Sequence, residues 1–323
     1  MSIVFLLFRA KIDFKANFLA KAKINQYLIL YPQGIKLITM NTMRTLGSKE
    51  AEVVLSLTEQ GKEVVLAADV IDILGKEAAA RKVIWNLLRK GWLSRLIGGR
   101  YLFLPPENGP ENLGENNVLA MAANAVLPSY IGWWSAASFH GFTTQKPAMT
   151  FVAVLRQVPA RTIEGSDVRF VKLEKDKFFG FASYDVYGRT VSVSTPAKTV
   201  VDCADHPRLA GGSSELARIV FGASSVVDKS EIAETALKMR KPALLQRLGF
   251  LFDIAGGGLP DSIRKRLRAG IPNSARSTFG RRERKRGDIG YVHEWGLNVN
   301  IPRRELLSDV PNIILPYADK QPD

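Results

Sequence analysis

Cationic side chains crowd one short stretch of the sequence, which holds Arg81, Lys82, Arg89, Arg95 and Arg100. Lysine and arginine bind the phosphates of nucleic acids, and arginine also hydrogen-bonds the edge of guanine in the major groove. The chain of 323 residues has a formal net charge of +14, which favours a polyanionic partner. Duplex DNA is therefore the first candidate ligand. Binding it requires secondary-structure elements that present these cations to solvent.

The first three of these cations fall on a predicted helix. Apolar residues recur at helical spacing over residues 77–90, and Gly91 comes next as a helix stop. Arg81, Lys82 and Arg89 take the polar side of this helix. A solvated helix face is the ordinary interpretation of such a side, but the order of the surrounding elements favours contact with DNA.

The other two cations fall on a predicted β-hairpin. Residues 92–96 and 100–104 are strand-like runs, and the glycine pair Gly98-Gly99 supplies the turn between them. Arg95 and Arg100 flank the tip, where a hairpin can touch phosphate or the minor groove.

The elements before this helix complete a recognisable order. The sequence predicts a first helix over residues 48–60, a short strand at 63–66, and a compact helix that ends at Gly75. Helix, strand, helix, helix and hairpin is the order of a winged helix-turn-helix, in which the second helix of the pair enters the major groove. Residues 45–105 are therefore predicted to be a DNA-binding domain.

Proline, glycine and asparagine dominate the connection after the hairpin, which predicts a domain boundary near residue 106. Residues 106–323 are predicted to form a second, larger domain, mixed α/β to about residue 212 and then helical with a basic segment. Residues 1–44 lack sustained periodicity and are interpreted as an N-terminal extension or as the product of a start assigned too early. The fold class is therefore α+β, and the polar connection predicts that the two cores form independently.

A second group of cations lies far along the chain, in the run "RRERKR". It contains Arg281, Arg282, Arg284, Lys285 and Arg286. Two interpretations stay open: a solvated loop, which charge runs usually are, and a second nucleic-acid surface that extends the footprint of the first.

Residues with catalytic chemistry occur, but without a complete arrangement. Asp202, Cys203, Asp205 and His206 lie close together, but no third group that would orient a nucleophile and base is evident. Core and helix-capping roles are the better interpretation. The sequence therefore predicts no catalytic residue and no enzyme activity.

The pattern "VKLEKDKFFG" places Glu174 and Asp176 among lysines, as in some metal nucleases, but it lacks a further aspartate at a definable place. One cysteine and three histidines give neither a disulfide framework nor zinc spacing. We expect no metal and no cofactor. The single cysteine fits a reducing compartment, so we expect a cytoplasmic protein. No apolar run is long enough to cross a membrane, so we expect no membrane partner.

Four blocks of the sequence together resemble one protein family. They are, in chain order, "LLRKGWLSRLIGGRYLFL", "YIGWWSAASFHGFTTQKP", "FFGFASYDVYGRTVSVSTPAKTVVDCADHPRLAGG" and "LLQRLGFLFDIAG". In these blocks, which span roughly residues 45–300, the chain resembles the AbiEi antitoxins of bacterial type IV toxin–antitoxin systems. The segment from Ser135 to Gln145 is the most characteristic.

The resemblance implies a two-domain protein that acts in abortive phage infection. Its winged helix would bind inverted repeats in its own promoter and repress transcription. Its larger domain would counter a nucleotidyltransferase-like toxin without forming a stable complex with it. The resemblance also places Lys76, together with the five cations of the helix and hairpin, at basic positions of the family's recognition helix and wing.

Two other classes of function remain possible from the sequence. The winged helix could deliver a nuclease or a nucleotide-processing enzyme to DNA, or the chain could be a regulator that binds RNA or the ribosome. A neighbouring gene for a nucleotidyltransferase would favour the antitoxin, and competition between duplex DNA and structured RNA would separate the third class.

Overall fold

The computed structural model describes residues 26–31, 34–39, 45–104, 117–163 and 165–311. Strands β1 (Gln26–Tyr31) and β2 (Gly34–Thr39) pair antiparallel. The rest of the predicted extension, and the connection near residue 106, lie outside the described residues.

The N-terminal unit (residues 45–104) has the predicted order of elements. They are α1 (Ser48–Glu59), β3 (Val64–Leu66), α2 (Ala67–Leu74), α3 (Glu77–Arg89), β4 (Leu93–Arg95) and β5 (Arg100–Phe103). The three strands form an antiparallel sheet in the order β3-β5-β4, and β4 and β5 make a hairpin. Gly75 ends α2 with a φ of +68°, a left-handed value that glycine adopts without strain.

A buried carboxylate, which the sequence did not reveal, joins α1 to α3. Glu50 accepts hydrogen bonds from the Gly47 backbone N–H at 2.9 Å, from Asn86 Nδ2 at 2.8 Å and from Lys90 Nζ. Burial opposes ionisation of this carboxyl, but the bonds from Lys90, Gly47 and Asn86 outweigh it and lower the pKa of Glu50. The helix pair is therefore fixed by charge as well as by apolar packing.

The second part of the chain begins with a mixed sheet and two helices. Its elements are α4 (Val118–Ala125), β6 (Ser129–Ile131), α5 (Trp133–Phe139), β7 (Met149–Val154), β8 (Arg161–Ile163), β9 (Ser166–Lys172), β10 (Phe181–Val186) and β11 (Arg189–Ser194). The six strands lie in the order β10-β11-β6-β7-β9-β8. Parallel pairs, β11 with β6 and β7 with β9, alternate with antiparallel ones.

Helices dominate the remainder of the second part. They are α6 (Pro196–Asp205), α7 (Ser213–Ser224), α8 (Lys229–Lys238), α9 (Pro242–Ile254) and α10 (Asp261–Ala269), and after them come β12 (Ser277–Gly280), β13 (Asp288–Val292), β14 (Leu297–Pro302) and α11 (Arg303–Leu306). Gly249 of α9 packs against the buried indole of Trp295. A Cβ at this position would come within 2.4 Å of the ring, so the close contact requires glycine. The predicted class, α+β with an N-terminal helical unit before a larger mixed part, is confirmed.

The two parts share a core, which differs from the expectation that each core forms independently. Leu96, Leu102 and Leu104 of the N-terminal unit pack in the same apolar cluster as α4 and the six-stranded sheet. The buried guanidinium of Arg189 donates a hydrogen bond to the carbonyl oxygen of Phe103 at 2.9 Å. The composition of the connection carried no sign of this packing, because it depends on contacts between distant residues. Within the described ranges, no helix is long and apolar enough to span a bilayer.

Candidate nucleic-acid interface

Helix α3 presents a continuous exposed stripe on the side away from the core. The buried side consists of Ala80, Val83, Ile84 and Leu87. The exposed stripe carries Arg81, Lys82, Trp85 and Arg89. Lys76, at the N-cap of α3, is also exposed and has an extended backbone. The structure therefore brings three of the predicted cations, Arg81, Lys82 and Arg89, to one surface, and it leaves Lys76 exposed at the start of the helix.

Arg81 is engaged by a neighbour on its own helix. Its guanidinium forms an ion pair with Glu77, one turn earlier, and the two side chains are 78% and 63% exposed. Exposed pairs of this kind contribute little stability, on the order of 0.2–1 kcal/mol. Arg81 can therefore exchange Glu77 for a phosphate or a base at small cost.

Trp85 lies in the middle of this stripe rather than under the hairpin. The structure leaves its indole 55% exposed. The guanidinium of Arg89 stacks over the indole, 4.5 Å from the ring centroid. This cation–π contact holds both side chains in a defined arrangement.

The hairpin holds its two arginines on opposite sides. Arg95 pairs directly with Tyr101, whose ring packs on the core of the N-terminal unit. Arg100 shares a side of β5 with Leu102, which faces the core shared with the second part. Arg95 is exposed and Arg100 is half-buried. The two arginines therefore address different surfaces, although both lie beside the predicted glycine turn.

The second group of cations lies in the loop between β12 and β13, and its first member has a structural role. Arg281 pairs with Asp288 at 2.6 Å and with Glu305 at 3.0 Å, and Asp288 also accepts from the Lys285 backbone N–H. Arg281 therefore fixes the base of the loop. The remaining cations, Arg282, Arg284, Lys285 and Arg286, have exposed side chains.

The catalytic candidates near residue 202 lie in the core. Asp202 and Cys203 are buried, and burial raises the pKa of both the Asp202 carboxyl and the Cys203 thiol. Asp202 pairs with the fully buried Lys198, and Tyr130 donates to Asp202 Oδ2 at 3.2 Å. Lys198, which the sequence did not single out, supplies the countercharge of Asp202. The two side chains form an internal ion pair that a substrate cannot reach.

Asp205 and His206 lie at the end of α6. Asp205 pairs with Lys241 at 2.6 Å and with His206 Nε2 at 3.3 Å. Arg247 donates to the carbonyl oxygen of Ala204, which satisfies part of the helix end. Burial lowers the pKa of His206. These contacts match the helix-end role that the sequence favours.

Glu174 and Asp176 are exposed, and Glu174 pairs with Lys177. Among the described residues, no three histidine, cysteine, aspartate or glutamate side chains converge as metal ligands would. A cleft of about 380 Å³ is lined in part by Ser138, Lys146 and Asp167. It brings no pair of carboxylates together, so the described residues give the alternative nuclease no specific support.

Comparison with known proteins gives a match to a family model and a similarity to a solved structure. Residues 130–254 match the model of the AbiEi antitoxin C-terminal domain, from β6 to the end of α9. The crystal structure of the RV2827C protein from Mycobacterium tuberculosis is similar to this chain, with a TM-score of 0.54 and 18% sequence identity. That similarity covers 88% of this chain and 98% of the other, and it shows a shared fold. None of the curated proteins compared matches the chain.

Proposed function

We propose that this chain, an AbiEi-family antitoxin of a toxin–antitoxin system by its C-terminal domain, also binds DNA and represses its own promoter. In this proposal residues 45–104 are a winged helix-turn-helix, with α2 and α3 as the helix pair. Duplex DNA with inverted repeats upstream of its own gene is the ligand.

One observation carries the DNA-binding proposal: the exposed stripe of α3 carries three cations against one carboxylate, that of Glu77, while the opposite side of the helix packs in the core. A helix that comes after a tight turn and presents such a stripe can lie in the major groove with its cations against bases and phosphates. Arg81 and Lys82 lie mid-helix, where base edges come within reach.

The other cations act on the DNA backbone in this proposal. Lys76 and Arg89 lie at the two ends of α3, near the walls of the groove. Arg95 and Arg100 contact phosphate or the minor groove from the two sides of the hairpin. The exposed loop cations after Arg281 form a second nucleic-acid surface.

The second part of the chain counters the toxin. We take the toxin to be a nucleotidyltransferase-like enzyme that the antitoxin opposes without a stable complex, as type IV systems do. The antitoxin acts in the cytoplasm, without catalysis and without a cofactor. The buried pairing of Asp202 with Lys198 supports a non-enzymatic role, since it occupies the carboxylate that precedes Cys203 in the sequence.

A two-readout experiment tests this division. The upstream region of the gene drives a reporter, and the toxin gene is expressed separately under its own control. We expect the wild type to repress the reporter and restore growth, and the double variant Arg81→Ala, Lys82→Ala to lose repression while still restoring growth. The control changes the exposed cations Lys238 and Arg240 to alanine and should keep both activities. Full repression by the double variant would contradict the proposal.

A further inference from the structure

An aromatic side chain lies where the proposed DNA-binding surface is most basic. Trp85 is one helical turn from Arg81 on one side and one turn from Arg89 on the other. More than half of its surface is exposed, although the core of the N-terminal unit lies directly behind α3.

The exposure of Trp85 is a property of its position on the helix. The core side of α3 is filled by smaller residues such as Val83 and Leu87, and the indole projects from the other side. The Arg89 guanidinium covers part of one ring face and leaves the rest of the indole accessible. The result is a large, rigid apolar surface surrounded by cations.

We infer that Trp85 reads thymine in the major groove, through contact between its indole and the C5-methyl groups that thymine presents there. Of the four DNA bases, thymine alone carries a methyl group in the major groove, and apolar side chains recognise this group. This inference rests on the proposed function, because it requires α3 to lie in the groove.

The charges around Trp85 argue for DNA over a second copy of the chain as the occupant. The stripe carries Arg81, Lys82 and Arg89 against the single carboxylate of Glu77, so two copies meeting through it would oppose net positive charges. The phosphates that border the major groove complement the same cations. In this arrangement the indole contacts the base edges on the floor of the groove.

Two DNA duplexes test the inference. Both carry the sequence upstream of the gene, one with thymidine and one with deoxyuridine, which pairs identically but lacks the methyl group. We expect the full-length wild type to bind the deoxyuridine duplex more weakly, by about fourfold for each methyl contacted, the factor for burying one such group. Trp85→Ala should weaken binding to the thymidine duplex and bind both duplexes equally.

Two further variants complete the design. Trp85→Phe keeps an aromatic ring and should retain part of the preference for thymidine. Leu55→Ala removes another exposed apolar side chain, on α1, and should keep the full preference. Circular dichroism verifies that each variant is folded.

Failure of this inference is distinguishable from failure of the proposed function. If the wild type binds upstream DNA specifically but binds both duplexes equally, the thymine contact is wrong and DNA binding stands. The same holds if Trp85→Ala retains the full preference for thymidine. If the wild type binds upstream DNA no better than unrelated duplex, the proposed function fails. Dimers that dissociate in Trp85→Ala but not in Leu55→Ala would show that a second copy occupies the stripe, and would overturn the inference.

Discussion

The guanidinium of Arg189, at the start of β11, lies 2.9 Å from the carbonyl oxygen of Phe103, the last residue of β5. The contact is buried and joins the hairpin to the second part of the chain. The hairpin and the six-stranded sheet are thereby joined by a direct hydrogen bond.

Replacing Arg189 by leucine should weaken this junction. The substitution leaves the Phe103 carbonyl without the Arg189 bond, and a hydrogen bond to a charged group contributes about 1.5–3 kcal/mol. We expect the free energy of unfolding, measured by chemical denaturation of the full-length chain, to fall by that amount. Arg208→Leu, at an exposed arginine, serves as the control and should change little. Equal stability of both variants would show that the junction does not stabilise the fold.

Glu77 should restrain DNA binding. Its carboxylate pairs with Arg81 and faces the same surface, so it competes with phosphate for the guanidinium. Glu77→Gln should therefore strengthen binding to upstream DNA by about 0.2–1 kcal/mol, the range for exposed pairs. Fluorescence anisotropy measures the change, and Glu231→Gln on α8 is the matched control. Weaker binding by Glu77→Gln would place the carboxylate in a contact with the DNA itself.

The loop after Arg281 should add phosphate contacts. Changing Arg282, Arg284, Lys285 and Arg286 to glutamine should reduce the salt dependence of binding by roughly 3.6 in logarithmic slope, at about 0.9 per contact. Preference for the operator should persist, because phosphate contacts position the protein rather than specify sequence. Arg281 stays unchanged in this variant, since its pairs with Asp288 and Glu305 stabilise the loop. A slope equal to that of the parent would exclude the loop from the interface.

Glu50 should make the N-terminal unit sensitive to acid. The pKa of its carboxyl is lowered in the folded state relative to the usual 4.5, so ionisation favours folding above that pH. This stabilisation is lost as the pH falls from about 4.5 through the lower folded pKa. Glu50→Gln should lower stability near neutral pH by about 1.5–3 kcal/mol, the worth of one hydrogen bond to a charged group. The difference between variant and parent should shrink in acid, and a constant difference across the pH range would refute this role.

Local signals predicted the elements well because they depend on neighbouring residues. The helix predicted at 77–90 is α3, Glu77–Arg89, and its end is set by Gly91 and the apolar spacing. Strand alternation also places Arg95 and Arg100 on opposite sides of the hairpin. Predicting this placement requires the strand register, in which Arg95 pairs with Tyr101.

Long-range contacts were not predictable in the same way. The pairing of Arg281 with Glu305 and that of Lys198 with Tyr130 both depend on the packing of separate elements. The same is true of Leu102, whose apolar character fitted either core. Sequence patterns therefore located the proposed interface, while the structure decided which of its residues are accessible.

Titration of the full-length chain with two duplexes of equal length and composition, the upstream region of its gene and a shuffled copy, tests DNA-specific repression most directly. At physiological salt the upstream duplex should bind at least about 10³-fold more tightly, as specific sites do. Arg81→Ala, Lys82→Ala should reduce that ratio sharply. Equal dissociation constants for the two duplexes with the wild-type chain would contradict the proposal that this antitoxin is a sequence-specific repressor.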